Sequence, residues 1–161
     1  MAELTVLGIG NILMSDEGVG VRLVQAVREL RDWPDDIEFV DGGAGGLNLL
    51  GFIEDARRLV VFDAADMGLA PGESRVVGPE QLAREDVDHF VSMHDVPFME
   101  TLKLCEQFSR RPALIRIMVV QPASLEFSRS LSADLARAFD RLAASAAELV
   151  RDTARQAGME A

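Results

Sequence analysis

The feature that most constrains this chain is its opening stretch, LTVLGIGNILMSDEGVGVR at residues 4–22. An apolar run from Leu4 to Leu7 stops in Gly8-Ile9-Gly10-Asn11. A short loop then carries Asp16 and Glu17, and helical periodicity takes over. A buried strand that passes through a glycine turn into a helix is the start of an α/β domain. Such a turn lies at the carboxyl end of its strand, where open α/β sheets place ligands. Here two adjacent carboxylates occupy the position at which many of these folds receive an anionic phosphate.

The rest of the chain repeats the strand-then-helix pattern. Residues 4–9 read as a strand buried on both faces, the mark of a central parallel strand. Residues 17–31 read as a helix, with Leu23, Val24, Val27 and Leu30 on one face and Pro34 closing it. Ile37 to Val40 form a second strand ending at Asp41-Gly42-Gly43, and a helix begins over Leu47 to Ile53. Leu59 to Phe62 form a third strand ending at Asp63. Residues 66–72 read as a loop with a Pro71-Gly72 turn, and Ser74 to Val77 as a short edge strand. Pro79 opens a short helix, 86–92 form a loop, and 97–109 form a helix with Pro97 in its first turn. Leu114 to Val120 make the last strand, and a long alanine-rich helix runs from Ser132 to about Ala154. Strands alternating with helices imply right-handed crossovers and a mostly parallel sheet. The groups that follow strands one, two and three, Glu17, Asp41 and Asp63, are therefore expected at one rim.

Composition narrows the function. The 161 residues, 48% of them hydrophobic, suit a single domain over 1–161 whose last few residues fray. A net charge of −11 argues against nucleic acid and anionic membrane surfaces as partners and favours clefts that attract cations. No signal peptide is expected, because the N-terminus lacks a basic region and its apolar run breaks at Gly8, and no apolar run approaches the ~20 residues needed to span a bilayer. The single cysteine excludes an intramolecular disulfide. A cytoplasmic location and a monomer are the expectation. Cys105 shares a helical face with Phe98, Leu102 and Phe108 and reads as a buried structural thiol.

Several chemistries find no support in the residues. The third glycine of a dinucleotide fingerprint should stand at position 13, which is Leu13, and Asp16 and Glu17 would repel a pyrophosphate. Asp41 does fall where a ribose-binding acid can sit, so a nucleotide-binding regulatory domain stays as an alternative. Phosphate-loop, zincin and nucleophile-elbow motifs are absent. What remains is an acidic rim, Glu17 and Asp63, with one of two histidines, His94 before a helix or its rival His89. Two carboxylates and an imidazole suit a divalent ion such as zinc or nickel and leave open positions for substrate. Ordinary roles compete at each position. Asp16 and Glu17 can cap or complement a helix dipole, Asp63 or its neighbour Asp66 can cap a turn, and Asp41 can brace its glycines.

Taken together, Gly8-Ile9-Gly10-Asn11-Ile12-Leu13, Asp16-Glu17-Gly18, Asp41-Gly42-Gly43, Phe62-Asp63-Ala64 and Ser92-Met93-His94 resemble the hydrogenase maturation endopeptidases. The resemblance covers about residues 4–125 in matching order. It implies a five-stranded, mostly parallel twisted sheet with one antiparallel edge strand and helices on both faces. It also implies removal of a short C-terminal peptide from the nickel-loaded large-subunit precursor of a NiFe hydrogenase. By position, Glu17, Asp63 and His94 would be metal ligands, with Asp41, Glu17 and Asp63 as the catalytic set. The nickel would arrive with the precursor, and zinc or cadmium would substitute for it in crystals. A carrier that binds the precursor without cutting it is the alternative, and a metallohydrolase with its own zinc is another.

Overall fold

The computed structural model describes residues 2–30, 32–82, 98–108 and 111–159. Five strands form one sheet in the order β2-β1-β3-β5-β4. They are β1 (Leu4–Gly8), β2 (Ile37–Asp41), β3 (Arg58–Ala64), β4 (Ser74–Val77) and β5 (Leu114–Val120). The first three and β5 are parallel, and β4 closes one edge antiparallel to β5. β1, β3 and β5 lie inside the sheet with apolar residues on both faces, as their sequences require.

Helices α1 (Val19–Glu29) and α5 (Ala133–Gln156) cover one face. Leu23, Val24, Val27, Leu135, Leu142 and Val150 meet Leu4, Val6, Val60 and Phe62 there. Helices α2 (Leu50–Glu54) and α4 (Phe98–Phe108) cover the other, packing Ile53, Leu102 and Cys105 on Leu7, Leu59, Val61 and Ile117. A single turn, α3 (Pro79–Leu82), follows β4. Ser132 caps α5 by accepting from Leu135 N at 3.3 Å.

Several boundaries differ from the sequence expectation, and three of them bear on the site; α1 also stops at Glu29 rather than 31, which leaves Leu30 43% exposed. The helix expected from residue 17 begins as a 3-10 turn, Ser15–Gly18, and becomes α-helical at Val19. Neither segment has a side-chain cap, so Asp16 does not cap it. The helix after β2 likewise opens with a 3-10 turn, Leu47–Leu49. β3 continues two residues past Phe62 because Asp63 and Ala64 pair with Val119 and Val120. Asp63 is therefore a strand residue rather than the first loop residue. Pro97 and the 86–92 loop lie outside the described residues.

Helix α1 sits unusually close to the sheet. A Cβ on Gly20 would lie 2.2 Å from the Phe62 carbonyl oxygen and 2.3 Å from that of Ile9, and one on Gly8 would lie 2.4 Å from the Gly20 oxygen. Only glycine at both positions allows this approach. It draws the start of α1, and with it Glu17, down onto the ends of β1 and β3.

Candidate functional site

The carboxyl ends of β1, β2 and β3 share one rim. Gly8 stands in register with Asp41 on one side and Phe62 on the other. Over this rim lies the Ser15–Gly18 turn, whose four residues are all buried. Glu17 is 6% exposed and Asp63 8%. Two carboxylates so nearly enclosed in an apolar setting are rare unless they are bonded or hold a cation. Asp63 Oδ1 accepts from the Ala64 N–H at 2.8 Å.

Asp41 reaches the same rim but leaves the other face of the sheet. Side chains alternate along a strand. Asp63 shares its parity with Leu59 and Val61, on the α2/α4 face. Asp41 shares its parity with Ile37 and Phe39, on the α1/α5 face. There its Oδ2 accepts from Gln25 Nε2 on α1 at 3.2 Å, and its Oδ1 accepts from the Gly43 N–H at 2.9 Å. Both contacts hold the glycine turn, where Gly43 has φ +52° and Gly45 and Gly46 have φ near +85°. Asp66, the rival of Asp63, accepts from the Gly68 N–H at 3.0 Å and from Gln121 Nε2 at 3.1 Å. It shapes the loop after β3.

Asp16 has a role that sequence reasoning missed. It is 0% exposed, and its carboxylate receives three backbone N–H groups from a segment more than a hundred residues away. Ala123 and Ser124 donate to Oδ2 at 2.9 and 3.0 Å, and Ser132 donates to Oδ1 at 2.7 Å. Backbone bonds from Ser15 N to Ser128 O and from Asp16 N to Ser124 O complete the junction. They hold Ser15 at φ +51°, an uncommon conformation for a side-chain-bearing residue. Gln121, 6% exposed, does similar work by accepting from Met67 N and Leu69 N. The adjacent pair Asp16-Glu17 thus divides, one acid fixing the loop after β5 and the other lying against the sheet ends. A buried carboxylate with distant backbone donors leaves no local signature in a sequence.

Among the described residues no three His, Cys, Asp or Glu side chains come together as a metal site. His94, the third expected ligand, and His89 lie outside the described residues. Cys105 is buried, and burial, reinforced by Glu54, pushes its thiol above the ordinary range. A thiol in that setting is inert.

The profile of the hydrogenase maturation protease family matches residues 21–149. The hydrogenase expression/formation protein HupD of Bradyrhizobium diazoefficiens is 39% identical over 124 residues, covering 77% of this chain and 65% of that protein. The chain spans less than two thirds of the length of HupD and of the similarly related HupM of Azotobacter chroococcum, where the share is 59%. The hydrogenase 2 maturation protease of Escherichia coli is 30% identical over 160 residues, 99% of this chain and 94% of that one. The solved structure of the hydrogenase maturating endopeptidase HybD from E. coli superposes with a TM-score of 0.81 at 29% identity, covering 99% and 96% of the two chains. Its agreement extends to the five-stranded mixed sheet with one antiparallel strand.

Proposed function

The chain belongs to the hydrogenase maturation protease family, and from that premise we propose that it is an endopeptidase acting on the large-subunit precursor of a NiFe hydrogenase. It removes a short C-terminal peptide once the precursor carries nickel. The observation that carries this reading is the pair Glu17 and Asp63, two nearly buried carboxylates at the mouth of the sheet in a chain that belongs to a protease family.

In this reading nickel is part of the substrate. The precursor brings it, and Glu17, Asp63 and His94 complete its coordination. Carboxylate and imidazole donors suit nickel and zinc alike. That contact tells a loaded precursor from an empty one and fixes the scissile peptide over the rim. Fixed geometry alone supplies on the order of 7–11 kcal/mol toward a hydrolytic barrier in favourable cases. The bound ion polarises the carbonyl or acidifies a water. Asp41 holds the Gly42–Gly46 turn from the α1 face, and its contacts with Gln25 and Gly43 support a bracing role over proton abstraction. No helix among the described residues is long and apolar enough to cross a membrane. We further assign the protein a cytoplasmic location and a monomeric state, in keeping with its acidic composition and single buried thiol.

The test is mass analysis of nickel-loaded and nickel-free precursor after incubation with the purified protein. Loss of a C-terminal peptide from the loaded form alone is the expected result, and Glu17→Gln should abolish it. An intact loaded precursor would leave a carrier role in place of a protease. Equal trimming of both forms would remove nickel from recognition.

A further inference from the structure

Large apolar side chains stand exposed on two loops beside the acidic rim. Ile12 and Leu13 are exposed on the loop after β1, and Phe127 is 76% exposed on the loop after β5. Backbone pairing joins the two loops. In a parallel bridge between Met14 and Ser128, the Ser128 N–H donates to the Leu13 carbonyl at 2.9 Å and the Ser128 carbonyl accepts from the Ser15 N–H at 2.9 Å. Leu13 and Phe127 thus sit on adjoining stretches of backbone. Asn11 Oδ1 fixes the Leu13 N–H at 3.0 Å, and the Asp16 carboxylate fixes the second loop through Ala123, Ser124 and Ser132. The first loop also touches the site. A Cβ on Gly18 would lie 2.7 Å from the Ile12 Cα, so the Ile12 backbone rests on the residue that directly follows Glu17. Glu126 is the only charged residue in 11–15 and 122–128, although 27% of the chain is charged, so this surface is apolar in character. Single exposed apolar side chains are ordinary, but a group of them on held backbone beside a cleft marks an interaction surface.

We propose that Ile12, Leu13 and Phe127 form a docking face for the folded body of the precursor, receiving apolar side chains next to the point where its C-terminal extension leaves; the inference rests on the protease reading above. Position selects this occupant. A precursor held at Glu17 brings its adjoining surface over Ile12, whose backbone lies against Gly18. Charge selects it as well. A second copy of this chain would set Glu17, Asp63 and Glu126 close to their own counterparts, in a protein of net charge −11. A nickel-loaded precursor instead brings a cation to the two rim acids and apolar surface to the loops beside them. The backbone on both loops is already fixed, so docking has little left to order, and the aromatic Phe127 offers a large contact for few rotatable bonds. The Asp16 carboxylate then has a second consequence, since the bonds that secure the loop after β5 also hold Phe127 next to Leu13.

The test compares Leu13→Ser and Phe127→Ser with the wild-type chain on nickel-loaded precursor. Both side chains are exposed, so the urea midpoint should stay at the wild-type value. Each variant should raise KM roughly tenfold more than it lowers kcat, and Phe127→Leu should recover most of the loss. Methyl NMR spectra of the full wild-type chain follow Ile12 and Leu13 as unlabelled loaded precursor is added, a reading that holds even where a serine variant folds poorly. Saturable shifts or broadening of both residues are expected. Unmoved methyl signals, an unchanged KM in both variants, or a fall confined to kcat overturns the docking face. Cleavage by the wild-type chain alongside any of these results keeps the protease reading and loses the face. Shifted methyl signals without cleavage keep the face and lose the protease reading. A concentration-dependent dimer in sedimentation that Phe127→Ser abolishes would assign the patch to self-association and overturn the proposal.

Discussion

Replacement of Asp16 tests the structural acid of the Asp16-Glu17 pair apart from the site role proposed for its neighbour. Asp16→Ala strips the acceptor from the N–H groups of Ala123, Ser124 and Ser132, all partly buried. A net hydrogen bond to a charged group contributes roughly 1.5–3 kcal/mol, and an abandoned buried donor costs about 1–3. Three such bonds at one carboxylate are not additive, because the loop relaxes and water enters, so the expected loss is about 3–5 kcal/mol. A domain of this kind has roughly 5–15 kcal/mol in total, which makes that loss a large share. Asp16→Asn should cost less. Its one remaining oxygen can serve Ala123 and Ser124 or Ser132, but its NH2 then faces a donor, for about 1.5–3 kcal/mol. Urea unfolding reads both variants as a lower midpoint with an unchanged slope. An Asp16→Ala midpoint within about 1 kcal/mol of wild type would refute the idea that this carboxylate secures the loop after β5.

Other perturbations have distinct signatures. Glu17→Gln should abolish precursor processing while shifting unfolding by less than about 1 kcal/mol, since the isosteric amide keeps the shape of the site; wild-type turnover by this variant would remove Glu17 from the chemistry. Gly20→Ala should destabilise by about 2 kcal/mol or more, because the carbonyls of Phe62 and Ile9 are rigid and α1 must lift off them; wild-type thermal stability would show the close approach to be dispensable. Burial pushes the Glu3 carboxyl up, but hydrogen bonds from Arg58 and Arg57 outweigh it and hold its pKa below the ordinary value. The depressed folded value means its contribution is present above the usual glutamate range and is lost as pH falls through the folded value. Glu3→Gln should therefore flatten the acid limb of the stability–pH curve, and an unchanged limb would count against the pair. Cys105 should react with iodoacetamide far more slowly in the native chain than in urea, with equal rates disproving its inert burial.

The fold was legible where local pattern decides structure. The apolar runs at 4–7 and 59–62 and the stretch 114–120 announced strands, and the first read as central because parallel strands are buried on both faces. The 3.6-residue spacing of Leu23, Val24 and Val27 announced α1 for an equally local reason. The rim followed from topology, since parallel strands end on the same side. What escaped was set by long-range pairing. β3 extends through Asp63 only because β5 lies beside it. Asp16 binds backbone groups 107–116 positions away, which no window on the sequence can register. Asp41 and Asp63 face opposite sides because the relative parity of two strands is fixed by their register, and register is not written in either strand alone. Gly20 does show in the sequence as a glycine inside a helical pattern, a signal of close backbone approach that was open to reading.

The central claim is that Glu17, Asp63 and His94 together receive one divalent ion. Anomalous diffraction from crystals soaked in zinc or nickel tests it directly. The account predicts one dominant peak in contact with both carboxylates and the imidazole, at about 2.0–2.2 Å for zinc. A dominant peak elsewhere, or one at the rim that Glu17 or His94 does not touch, would contradict it.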